Sequence, residues 1–161
     1  MPFVALFVAY LVRFAMIVLG YAVAALAASA FLNVILLALF GFAAEETRDA
    51  ATGSFIFMIP FVALFVAYFA FLPAVVAIVF SELLAKRDWL FHALAGALVG
   101  LVVIGFSRGT HAYSEIADLN FALAIIGAGM CGGIGYWAIA GRGAAGWRPA
   151  GRGGEPTSPA P

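Results

Sequence analysis

Between Phe55 and Phe106 the sequence reads FIFMIPFVALFVAYFAFLPAVVAIVFSELLAKRDWLFHALAGALVGLVVIGF. Two apolar runs, Phe55–Phe80 and Trp89–Phe106, flank one polar break at Glu82–Asp88. A helix needs ~20 residues to cross a hydrocarbon core of ~30 Å, so each run suits one crossing and the shorter one stands nearly upright. A break this short leaves room only for antiparallel neighbours. The stretch therefore predicts a helical hairpin, the unit of an up-down bundle.

The rest of the chain extends the pattern. Apolar residues make up 66% of the sequence and charged residues 10%, against about a quarter charged in soluble domains. Lipid has to be part of the solvent. Two further apolar blocks run from Pro2 to Phe42 and from Leu119 to Ala140. The fold class is all-α: a polytopic membrane protein, a four-transmembrane-helix up-down bundle with crossings near 14–40, 55–84, 89–107 and 118–140. This transmembrane domain occupies 1–141. The remainder, 142–161, is rich in Gly, Pro and Ala and reads as a disordered cytoplasmic tail. A formal net charge of zero gives no case for nucleic acid, and Cys131, the single cysteine, allows no intrachain disulfide.

The first block is too long for one crossing, at ~60 Å if wholly helical. It contains one charge, Arg13. A crossing begun at Phe3 would hold Arg13 near mid-bilayer at a cost of roughly 2.5–3.5 kcal/mol. A crossing begun at Phe14 leaves Arg13 at the water interface, which is the expected arrangement. Residues 1–12 then form an N-terminal extension. They contain PFVALFVAY (Pro2–Tyr10), repeated letter for letter at Pro60–Tyr68. A local duplication and a start codon placed too far upstream both account for the first copy. Ala28-Ser29-Ala30 imitates a signal-peptide cleavage site after Ala30, but the apolar run FLNVILLALFGF (Phe31–Phe42) that follows at once argues against cleavage.

Lysine and arginine in short loops favour the cytoplasm. Four crossings put Arg13, Lys86, Arg87, Arg142, Arg148 and Arg152 on one side and only Arg48 and Arg108 on the other. Both termini are therefore expected inside, with Glu45, Glu46, Asp49, Glu115 and Asp118 outside. Trp89, Trp137 and Trp147 fall near the inner interface, where indole rings prefer to lie.

Few side chains suggest chemistry. His92 and His111 would lie about 28 Å apart at opposite ends of the third helix, and Cys131 reaches neither. No catalytic, cofactor-binding or metal site is expected. Glu82 has Lys86 at the i+4 spacing of a helical ion pair, so pairing with Lys86 or Arg87 is the expected role. Asn33, the strongly polar side chain inside the first helix, is expected to hydrogen-bond between helices. Pro60 sits in the first turns of the second helix and Pro73 deep within it, where it should kink the helix. Small residues give the strongest pattern. Ala93, Gly96, Ala97 and Gly100 share one arc of the third helix, and Gly129, Gly132 and Gly133 one arc of the fourth. Such notches let membrane helices approach closely. They serve either the third and fourth helices of one chain or a homo-oligomer or membrane-protein partner.

LPAVVAIVFSELLAKRDWLFHALAGALVG (Leu72–Gly100) and GGIGYWAIAGRGAAGWR (Gly132–Arg148) resemble a group of small, uncharacterised four-helix inner-membrane proteins of bacteria. The resemblance implies location in the bacterial inner (plasma) membrane and brings no activity, cofactor or catalytic residue. In that group the chain begins close to the first crossing, so MPFVALFVAYLV (Met1–Val12) departs from the pattern. The expected function is that of a non-enzymatic accessory or assembly subunit in contact with the lipid bilayer. A small oligomeric transporter or channel, using Asn33, Glu82 or His92, is the alternative.

Overall fold

The computed structural model describes residues 2–40, 48–108 and 119–144. Four α-helices fill them: α1 (Pro2–Phe40), α2 (Arg48–Leu83), α3 (Trp89–Arg108) and α4 (Leu119–Ile139). Each contains a stretch long and apolar enough to cross a membrane. None has a polar face, as expected of helices surrounded by lipid and by one another. The helices form a closed ring in which α1 packs on α2, α2 on α3, α3 on α4 and α4 back on α1. This is the up-down bundle that the short α2–α3 break requires.

The boundaries differ from expectation at three places. Helix α1 begins at Pro2, not Phe14, because nothing in PFVALFVAYLV breaks a helix and Pro2 stands where a missing N–H matters least. Arg13 lies level with Glu82 near the end of α2 and with Ala140 after α4. Residues 2–12 therefore carry α1 ~16 Å beyond the bundle, with Phe3 87% exposed. Helix α2 begins at Arg48 rather than near Phe55, through a polar stretch ahead of the apolar run. At the other end, Gly141–Gly143 forms a 3-10 turn and Ala144 is fully buried. The folded part thus runs past the expected boundary at Gly141; 145–161 lie outside the described residues.

The tightest seam is between α3 and α4. A methyl group added to Gly96 would lie 2.8 Å from the carbonyl carbon of Gly129, and one on Gly133 2.8 Å from that of His92. Backbone meets backbone there, which only glycine permits. Gly100 belongs to the same seam, since a methyl on Gly129 would lie 3.4 Å from its nitrogen. The notch therefore joins two helices of one chain. Gly132 is the exception to the expected single arc: it faces Ala24 and Ala28 of α1. Gly132 and Gly133 are about 100° apart around the helix, so α4 presents small residues to both neighbours.

Polar stitches attach α1 to α2. The Ser29 hydroxyl, fully buried, donates to the Ile59 carbonyl at 2.6 Å, and the Tyr21 hydroxyl donates to the carbonyl of Ala67. Ala28 and Ser29 of the small triplet are thus embedded in the bundle. Asn33 departs from expectation. Its Nδ2 donates to the Ser29 carbonyl of its own helix at 2.9 Å, so the inter-helical bond is made by Ser29, one turn away.

The seam makes a contrast that thermal unfolding in detergent can read. Gly96→Ala and Gly129→Ala should each cost about 1–3 kcal/mol by forcing α3 and α4 apart. Gly105 has open space where a methyl would go, so Gly105→Ala should leave the midpoint unchanged or raise it slightly.

Candidate functional site

A cluster of polar side chains lies where α1 passes the close of α2, the start of α3 and the close of α4. Arg13 forms an ion pair with Glu82, and both side chains are only 15% exposed. The Arg13 Nη1 also donates to the Ala140 carbonyl at 3.0 Å. That carbonyl lies at the C-terminal end of α4, where a cation is favoured by the helix dipole and by the unpaired acceptors.

Glu82 was expected to pair with Lys86 or Arg87. The structure gives it Arg13, 69 positions away. The i+4 rule holds only while the helix continues, and α2 stops at Leu83. Ala85 takes φ 50°, while its N–H bonds Glu82 and that of Lys86 bonds Ser81. This is a Schellman turn with alanine at the left-handed position. It carries Lys86 off the face that Glu82 occupies.

Behind the ion pair lie His92 and Tyr136, both more than nine-tenths buried. Their rings stack with centroids 5.7 Å apart at 26°. His92 Nδ1 lies 2.8 Å from the Asp88 carbonyl. A carbonyl can only accept, so Nδ1 carries a proton. Among the described residues, Nε2, the Tyr136 hydroxyl and Arg13 Nε have no hydrogen-bonding partner.

The 3-10 turn closes over this cluster. A methyl on Gly141 would come within 2.8 Å of His92 Nε2, and one on Gly143 within 3.1 Å of Arg13 Nη1. Arg87 Nε holds the turn by donating to the Ala144 carbonyl at 3.0 Å, while Trp137 Nε1 donates to the Arg87 carbonyl at 2.8 Å. The Arg142 guanidinium lies over the Trp137 ring, 4.5 Å from its centre. Toward mid-membrane the cluster borders a cavity of about 90 Å³ shared by all four helices. Alanine and glycine form most of its wall, with Tyr21, Ser81, His92 and Tyr136 as its polar members.

Of the residues singled out in the sequence, Glu82 and His92 come together at this end. Asn33 stands near the other end of α1. Cys131 is half-buried on α4, and His111 lies outside the described residues. Among the described residues no group of three His, Cys, Asp or Glu is placed to hold a metal. Sequence reasoning missed Tyr136, Ser29 and the Arg13–Glu82 contact. The last had a signal: a lone cation and a lone carboxylate at the margins of two apolar blocks, both on the same side of an up-down bundle.

Fold and site together define a multi-pass helical membrane protein with a polar cluster where α1 meets the ends of α2 and α4. Comparison of the chain with protein-family models, with curated proteins and with solved structures gives no match.

A half-buried pair this poorly solvated is costly to break and cheap to replace. Arg13→Met and Glu82→Leu alone should each destabilise by roughly 3–5 kcal/mol, since each removes one member of a poorly solvated ion pair. The double variant should recover most of the loss. The thermal midpoints of the four proteins in one detergent give the comparison.

Proposed function

We propose that this chain is a non-enzymatic integral protein of the bacterial inner membrane, working as an accessory or assembly subunit that docks laterally on another membrane protein. The observation that carries this reading is one face of α2. Only 6% of the most apolar window of α2 is buried inside the chain, against 22% in each of the other three helices. Phe57, Phe61, Leu64, Tyr68 and Leu72 fall within about 80° of arc, at the spacing by which helices pack. Lipid can cover the four apolar members without loss. Tyr68 is different: it is 77% exposed and lies near the middle of the span Phe57–Leu83. Tyrosine favours the bilayer interface, where its hydroxyl is wet, and a hydroxyl among acyl chains calls for a partner from another helix.

The loop charges support both termini lying in the cytoplasm. Arg13, Lys86, Arg87 and Arg142 share the polar end. The transporter reading has one specific observation in its favour, the shared cavity beside His92 Nε2 and the Tyr136 hydroxyl, which bond to nothing among the described residues. Against it, Glu82 is neutralised by Arg13, and Asn33 is held within its own helix away from the cavity.

A photo-crosslinking amino acid at Tyr68, activated in intact membranes, should give one discrete protein adduct. The same group at Leu123, on the lipid side of α4, should give only a background smear. Equal yields at the two positions would remove the support for docking and shift the weight to transport.

Topology is tested separately. Alkaline phosphatase fused after Gly141 should be inactive, and fused within 45–49 it should be active. The opposite pattern would place both termini outside.

A further inference from the structure

We propose that the groove between α2 and α3 holds one acyl chain of an anionic phospholipid, with Lys86 and Arg87 receiving its phosphate. Of the four neighbouring pairs in the ring, α2 and α3 pack least extensively. They leave between them an almost wholly apolar groove enclosing about 580 Å³, walled by Phe80, Leu84, Phe91, Leu94, Leu98 and Val102 among others.

Its length matches one leaflet. From Phe91 to Val102 the α3 wall rises ~16 Å, about half of a hydrocarbon core of ~30 Å. Its mouth is the loop between Leu84 and Trp89. The Schellman turn at Ala85 ends α2 there and sets Lys86 and Arg87, both exposed, at headgroup level. Arg87 uses Nε on Ala144, and its two terminal nitrogens, which bond no acceptor among the described residues, can receive an anion. Trp89, 52% exposed, marks the same depth.

Charge favours an anionic headgroup. Among the described residues at this end, Arg13 and Glu82 cancel. Lys86, Arg87 and Arg142 then face Asp88 alone, a surplus of two positive charges. Basic residues at the cytoplasmic end of a cleft between membrane helices are how acidic lipid headgroups are recognised. The α2 residues that wall the groove lie 80° to 180° around the helix from Tyr68, so the groove opens away from the Tyr68 side chain. The site does not depend on the docking reading.

The test uses the full chain, purified in detergent and stripped of lipid, then offered equal amounts of phosphatidylglycerol and phosphatidylcholine. Native mass spectrometry should find one phosphatidylglycerol retained at least about fivefold over phosphatidylcholine. Lys86→Gln should lower that preference about fivefold, the effect of one basic residue at a membrane surface. Ala95→Phe, which fills the groove, should abolish retention, whereas Leu123→Phe on α4 should not. Lys86→Gln changes an exposed side chain, so it carries the test even if Ala95→Phe does not fold. Excess inorganic phosphate should leave the lipid bound; displacement would reduce the site to an anion contact on the loop and overturn the proposal. Equal retention of the two lipids, or a preference that Lys86→Gln leaves intact, would also overturn it.

Discussion

Lipid tails are as apolar as leucine, so within a bilayer only direct contact holds one helix against another. The α3–α4 seam meets that constraint at its limit. Gly96, Gly129 and Gly133 bring two backbones to a separation at which a single methyl group would not fit. The rest of the ring is arranged from there. Helix α4 offers Gly132 to Ala24 and Ala28 on its other side, which seats α1. Helix α2 is then tied to α1 by hydroxyl–carbonyl bonds at Tyr21 and Ser29. It is the helix left most open to its surroundings, and the face bearing Tyr68 and the groove beside α3 both follow from that.

Close packing does not set depth. Helix α1 is 39 residues long and apolar nearly throughout, so hydropathy alone accepts Leu6–Ile35 as its span. That choice would sink Arg13 into lipid. The contact with Glu82 and the Ala140 carbonyl instead fixes Arg13 at the level where α2 and α4 end. Slipping α1 by one turn would move the guanidinium ~5.4 Å and break both contacts. A buried ion pair adds little net stability compared with well-packed apolar residues. Its clearer consequence here is register.

Helix number, order and the closed up-down ring were legible in the sequence because apolar length and a short α2–α3 break leave few alternatives. The glycines were legible as a seam for the same reason: small residues at helical spacing have one main use in lipid. The polar end was not. Glu82 was assigned a partner by the i+4 rule, which presumes a continuing helix, and one left-handed residue at Ala85 undid that presumption. Ser29 rather than Asn33 makes the inter-helical bond because which of two polar residues one turn apart faces the neighbour depends on helix rotation, which composition does not encode. Nothing in the sequence singled out Tyr136. Its burial against His92 depends on Gly20, Ala140 and the 3-10 turn converging on it, contacts between segments far apart in the chain.

The repeated PFVALFVAY shows the same limit from another side. In α2 the nine residues lie within a membrane span, where Phe61, Leu64 and Tyr68 form a continuous exposed ridge. In α1 the identical residues lie beyond the bundle, past the level at which Arg13 is tied down. Local sequence dictates helix in both copies, and both are helical. What differs is the nearest fixed point: an ion pair three residues after the first copy, and a hydroxyl of α1 bonded to Ala67 within the second. In a chain this uniformly apolar, a segment's depth is decided by the few polar groups that must find one another, and the hydrophobic residues between them follow.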